Sequence, residues 1–199
     1  VLILGYRTGG VTELQNLLKR PQLPLSEAER YYERAMHYYD RGNYDLAIDD
    51  MSAAIESDDQ NAEYYAVRGM FHLEIGELEE AWEDLRWSLA LNPDKSEAML
   101  AFYGLGALAY ARGEYAEAAA RFTEAIETAP KRPEPHYFRA VAYFREQRYI
   151  DAEADMMMAI QLMKEDDPRV NQGTRWINAF RKHRAQRVRR APRPDEIEG

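Results

Sequence analysis

The chain has 199 residues, 46% of them hydrophobic, and a net charge of −9, so it can bury about 70% of its unfolded surface without covalent staples. It has no cysteine, which excludes disulfides, thiol nucleophiles and cysteine-ligated zinc and fits a reducing compartment, so a cytoplasmic location is expected. No apolar run reaches the length of a membrane span and no signal-peptide pattern occurs, so a soluble protein is expected.

Residues 1–25 read as an N-terminal extension: a short β-prone run, Val1 to Leu4, a glycine-bearing loop from Gly5 to Gly10, and a short helix opened by the capping form Thr12-x-x-Gln15, with Leu14, Leu17 and Leu18 on one face. The stretch from Gly5 to Thr12 resembles a phosphate-binding loop, but Val11 stands where the lysine is needed, and no alternation of strand and helix follows. Nucleotide binding is therefore disfavoured, and no cofactor is expected.

Ser26-x-x-Glu29 is a second capping form and opens a run of helical hairpins of about a dozen residues per helix. The segment Tyr44-Asp-Leu-Ala47 returns as Leu78-Glu-Glu-Ala81, Tyr115-Ala-Glu-Ala118 and Tyr149-Ile-Asp-Ala152. The matching turn residues, Gly42, Gly76, Gly113 and Gln147, are spaced 34, 37 and 34 apart, a period that signals stacked helical units. The three extra residues fall near Asp94 to Glu97, where Asp94-x-x-Glu97 can cap a lengthened helix. Asp167-Pro168 starts a last helix reaching about Arg190, whose first turns Gly173 is expected to weaken. Pro192 and Pro194 end it, and residues 191–199 read as a disordered acidic tip.

With these residues in view, the chain resembles the tetratricopeptide repeat family over about two thirds of its length, with repeats near 28–61, 62–95, 99–132 and 133–166. Small residues recur at repeat position 8 (Ala35, Gly69, Gly106, Ala140), position 20 (Ala47, Ala81, Ala118, Ala152) and position 27 (Ala54, Ser88, Ala125, Ala159). Larger fillers recur at position 24 (Met51, Leu85, Phe122, Met156). The resemblance implies an all-α, right-handed solenoid of four helical hairpins, with residues 167–190 as a capping helix. It also implies a non-enzymatic protein-interaction scaffold.

Position 7 is arginine in three repeats (Arg34, Arg68, Arg139), and the same three have aspartate at position 23 (Asp50, Asp84, Asp155); the remaining repeat changes both, to Leu105 and Arg121. Positions 7 and 23 lie opposite each other in an antiparallel hairpin, which predicts an Arg–Asp bridge in repeats one, two and four, a register device more than a ligand site.

In this family the first helices of successive repeats line a groove. Carried onto this chain, the groove positions place Tyr32, Met36, Tyr39, Met70, Leu73, Tyr103, Tyr110, Tyr137, Val141 and Phe144 as partner-binding residues. The same aromatics could instead pack repeats together or be covered by the chain's own ends. Glu29, Asp40, Glu63 and Glu74 make one end acidic, and Arg145 lies toward the other, so the expected partner is a protein or peptide with apolar anchors and basic residues. The family's clamp for heat-shock chaperone C-termini needs Lys or Arg and Asn where this chain has Tyr32, Met36, Val67, Leu100 and Gly104, so that partner is not expected.

Residues 169–193 carry nine Arg or Lys and no acid, leaving −15 on residues 1–168. The last helix should place Val170, Trp176, Ile177 and Phe180 against the last repeat. Beyond them Arg181, Lys182, Arg184, Arg187, Arg189 and Arg190 form a basic arm, open to three readings: a solvated helix face, docking on an acidic protein surface that includes a neighbouring copy, or nucleic acid or an anionic membrane, whose approach the acidic body opposes. A structural subunit joined through its termini is the alternative to a groove adaptor. The four histidines show no metal-ligand spacing and no nucleophile elbow occurs, so neither an enzyme nor a metal site is expected.

Overall fold

The computed structural model describes residues 25–190 apart from Asn92 and Glu165. The expected N-terminal strand, glycine loop and helix, and the acidic tip, lie outside the described residues. Among the described residues are nine helices: α1 (Glu27–Asp40), α2 (Tyr44–Ser57), α3 (Ala62–Ile75), α4 (Leu78–Ala90), α5 (Lys95–Ala111), α6 (Tyr115–Thr128), α7 (Pro133–Arg145), α8 (Tyr149–Leu162) and α9 (Arg169–Arg190).

Local chemistry sets several of the ends. Ser26 accepts from the Glu29 amide while the Glu29 carboxylate accepts from the Ser26 amide, a closed capping box that starts α1. Asp94 and Glu97 do the same for α5 and open the longest of the hairpin helices, at 17 residues. That extra length holds the three residues that break the period. The first helix of each repeat ends in a left-handed turn residue: Gly42, Gly76 and Gly113 have φ of 76°, 85° and 81°, and Gln147 takes the same turn at φ 61°. Glycine enters this region freely, whereas a residue with a Cβ does so at a cost.

Sequential helices pack as antiparallel hairpins, each first helix also leaning on the preceding hairpin. The core is accordingly a row of clusters. One joins repeats one and two around Met51, Tyr64 and Phe71; a second joins repeats two and three around Leu85, Tyr103 and Phe122; a third joins repeat four to α9 around Met156, Ile177 and Phe180. Such an array is stabilised by nearest-neighbour interfaces.

The ends of the array are chemically marked. Positions 3, 6 and 10, which face the preceding hairpin, are Tyr64, Val67 and Phe71 in repeat two, all buried. In repeat one they are Arg30, Glu33 and His37, all exposed among the described residues, so this side of repeat one is polar where the same side of repeat two is apolar. At the other end α9 occupies the place of a next first helix. Gly173 lies buried in the second turn of α9, where a Cβ would lie 3.0 Å from the Ile160 side chain, so the missing side chain is what lets α9 lie close to α8.

Candidate functional site

The three Arg–Asp pairs meet in bidentate geometry. Arg34 donates through Nε and Nη2 to both Asp50 oxygens, each at 2.6 Å; Arg68 reaches Asp84 at 2.8 and 2.7 Å; Arg139 reaches Asp155 at 2.6 and 2.8 Å. Planar guanidinium matches carboxylate in this way and fixes one register. Two of the arginines also donate backwards, Arg68 Nη1 to Ser52 Oγ at 3.0 Å and Arg139 Nη1 to Thr123 Oγ1 at 2.8 Å. The hydroxyls sit at position 25 of the preceding repeat, and sequence reasoning missed them. Their signal was there: position 25 is Ser or Thr before each of these two arginines, but Arg86 before Leu105.

Burial divides the pairs. The Arg34 side chain is 55% exposed, and that of Arg139 is 16% exposed. Burial alone would raise the Asp155 pKa, but the paired hydrogen bonds from Arg139, with His136 3.6 Å away, outweigh it and hold the carboxyl below its ordinary value. In repeat three Leu105 is buried, and Arg121 turns instead to Glu117 and Glu124 on its own helix.

The groove expectation requires correction. Met70, Leu73, Tyr103, Tyr137 and Val141 are buried; Tyr103, at 1% exposure, has rings 5.7 Å from Phe122 and 5.6 Å from Phe138 and belongs to the core. The reason is the stacking itself: Phe138 on the first helix of the next hairpin covers Tyr103, and Tyr137 and Val141 pack in the cluster shared with α9. Tyr32, Met36, Tyr39, Tyr110 and Phe144 remain half-buried. Tyr32 donates its hydroxyl to Glu63 of repeat two at 3.0 Å. Tyr39 stacks on Phe71 of repeat two at 4.7 Å, and burial, with Glu74 alongside, pushes its hydroxyl pKa up. Tyr110 packs against Tyr115, whose hydroxyl and ring both receive Arg145. Phe144 is occupied by α9, with Trp176, Phe180 and His183 ring centroids at 5.6, 5.1 and 5.2 Å. The chain's own last helix thus fills the groove at repeat four.

Part of the basic arm is held to the body. Arg181 and Arg184 donate to Glu153 of α8 at 2.7 and 3.4 Å, and Arg187 reaches the Gln147 carbonyl at 3.3 Å. All three, and Lys182, still present exposed side chains; Arg189 and Arg190 form the last residues of α9.

Between repeats two and three lies a cleft of about 400 Å³, whose lining includes Glu63, Asp94, Lys95, Glu97, Leu100, Ala129 and Arg132. The lengthened start of α5 forms one wall, the end of α6 another. Burial, with Glu97 and Asp94 nearby, raises the Glu63 pKa despite the hydrogen bond from Tyr32. Burial likewise raises that of Glu74. Asp94 and Glu97 are groove-edge residues that the repeat pattern alone did not select, because they belong to the insertion, whereas Leu100 stands at position 2 of repeat three. Among the described residues no group of three or more His, Asp or Glu stands close enough to hold a metal ion, and no helix is long and apolar enough to cross a membrane.

Known proteins share this architecture. A curated relative, Protein SGT1 homolog of Bos taurus, is 30% identical over 101 residues, which are 51% of this chain and 29% of that protein; the match spans less than a third of the relative. Among solved structures, a thermophilic tetratricopeptide repeat protein of Thermus thermophilus superposes with a TM-score of 0.65 at 19% identity, covering 86% of this chain and 95% of that one. PilF of Pseudomonas aeruginosa gives 0.63 at 18% identity over 78% and 73% of the two chains, and MamA of Desulfovibrio magneticus gives 0.58 at 17% over 81% and 93%. These identities speak for the fold alone. Two family models described as tetratricopeptide repeat match the sequence, one at residues 32–95 and 72–133, the other at 109–174. Helical hairpins with small residues at positions 8, 20 and 27, a left-handed turn at Gly42 and its counterparts, and these matches over most of the chain place it in the tetratricopeptide repeat family.

Proposed function

We propose that this chain is an adaptor that holds an extended segment of a partner protein along its first-helix side, with a cationic side chain of that segment entering the cleft between repeats two and three. Tetratricopeptide repeat proteins are protein-interaction scaffolds, and the partner chemistry follows from the cleft. The observation that carries the reading is the Glu63 carboxyl, partly desolvated beside Glu97 and Asp94 in a cleft of about 400 Å³ floored by Leu100. A lysine or arginine stem can lie on Leu100 and Ala129 while its head replaces the water that Glu63 has lost. Met36 and Tyr39, half-buried on the neighbouring repeat, offer apolar purchase to the flanking residues of the segment.

The buried rings narrow the surface expected from the repeat pattern. Tyr103, Tyr137, Met70, Leu73 and Val141 support the wall of the groove, and the recognition surface contracts to repeats one to three. The test is a random peptide library selected on the intact chain, with affinities of the selected peptides measured by calorimetry. Selected peptides should pair a basic residue with an apolar one, lose roughly tenfold in affinity with Glu63→Gln, a change that keeps an acceptor for Tyr32, and fail to bind Leu100→Asp. Peptides that bind both variants as tightly as the parent, with helical content unchanged, would remove the reading.

A further inference from the structure

The exposed large apolar side chains among the described residues fall mainly on two helices. On α8, Ile150 is 68% exposed, Met157 and Met158 are exposed too, and Ala154 lies between them. Ala154 lies four residues after Ile150 and three and four before Met157 and Met158, which puts all four on one stripe opposite the buried Ala152, Met156 and Ala159. On α4, Trp87 is 61% exposed, and Trp82 is exposed with Arg86 stacked 4.3 Å over its ring. Isolated exposed apolar residues are ordinary, whereas grouped aromatics and methionines mark contact surfaces. Neither face belongs to the cleft, because both lie on second helices.

The two faces differ in sign. The α8 stripe is bordered by α9, whose Arg181 and Arg184 meet Glu153 one turn from Met157, with Lys182 and Arg187 exposed beside them. The α4 face carries Glu80 and Glu83, both exposed, and Glu79, which Arg112 of α5 meets at 3.0 Å, against Arg86 on the helix itself. Asp151, the acid next to Ile150, is already tied to Arg148. One surface is apolar and basic, the other apolar and acidic, and both sit on the outer side of the same solenoid two repeats apart, where they cannot meet within one chain.

We propose that a second copy of this chain supplies the missing partner: the outer face of α4 in one copy docks on the α8–α9 face of the next. The contact is heterologous, so a joined pair keeps one unused face of each kind, and assembly continues past the dimer unless the rotation closes a ring. Opposite charge orients the copies, and the tryptophans and methionines are the groups removed from water.

The test is sedimentation velocity on the intact chain from about 1 to 200 µM, at low and at high salt, with Ile150→Glu/Met157→Glu as one variant and Trp82→Lys/Trp87→Lys as another. The parent should associate beyond a dimer with rising concentration, and less so in high salt, which screens the charged rims. Each variant alone should be monomeric, and an equimolar mixture should form a one-to-one dimer that grows no further, since each supplies the face the other has lost. These are surface positions, and circular dichroism checks that both variants stay folded. A parent that is monomeric throughout, a variant that still associates alone, or a mixture that stays monomeric would each overturn the proposal. The outcome does not depend on the peptide cleft, which these substitutions leave untouched.

Discussion

Arg139 and Thr123 stand sixteen residues apart in two different repeats and are joined by a 2.8 Å hydrogen bond from Nη1 to Oγ1. The same guanidinium holds Asp155 with its other two nitrogens. One side chain thus ties its own hairpin together and ties that hairpin to the one before. Arg68 repeats the arrangement with Asp84 and Ser52.

Removing the acid of the fourth repeat leaves a mostly buried guanidinium without its partner. Asp155→Ala should cost about 3 kcal/mol in urea unfolding, whereas replacing both ends, Arg139→Leu with Asp155→Leu, should cost far less, since a buried pair exchanged for apolar groups is close to neutral. The same alanine change at Asp50 should cost less than at Asp155, because Arg34 remains largely in water.

Asp155 also makes a prediction about acid. Its folded pKa lies below the ordinary 3.8, so the folded state binds this proton less readily than the unfolded chain. The stabilisation is complete above the unfolded value and disappears as pH falls through the folded one. The stability gap between the parent and Asp155→Asn should be constant above about pH 5 and shrink steadily below about pH 4, as read from denaturation midpoints in a pH series.

Gln147 carries the turn that glycine makes elsewhere, at φ 61°. Gln147→Gly should raise stability by about 1 kcal/mol, and Gly76→Ala should lower it by a similar amount. Only the backbone oxygen of Gln147 is used by Arg187, so glycine keeps that contact. A denaturation midpoint for Gln147→Gly no higher than the parent's would contradict the strain argument.

Binding of a basic peptide in the cleft should depend on pH through Glu63. Its folded pKa is raised above 4.5 by burial and by its acidic neighbours, so it takes a proton earlier than an ordinary glutamate on acidification. Affinity for a lysine-containing peptide should rise as pH increases through that raised value and level off above it. Glu63→Gln should flatten the profile in titrations followed by fluorescence anisotropy.

Phe180 anchors the last helix and is fully buried against Phe144 and Trp176. Phe180→Ala should cost about 3 to 5 kcal/mol and speed amide exchange in α9 and α8 before the first two repeats respond. Exchange that accelerates uniformly along the chain would argue against nearest-neighbour stacking.

Much of this molecule is readable from one dimension. The turn at Gly42, Gly76, Gly113 and Gln147 returns every 34 or 37 residues, and the small residues at fixed offsets and the Arg34–Asp50 type of pairing arise within a single hairpin, where helical periodicity converts spacing into contact. The capping boxes at Ser26 and Asp94 are local for the same reason.

The binding surface was a different matter. Tyr103 and Tyr110 occupy equivalent-looking places on one helix, yet one is in the core and the other half-exposed. Phe144 had the pattern of a groove residue and became the seat of α9. The sequence by itself determined the repeat, its register, its turn and its capping helix, because those depend on residues near in the chain. Tertiary structure decided which rings meet water and which cleft stays open, because burial depends on the depth to which each hairpin covers its neighbour, set by packing between residues more than thirty positions apart.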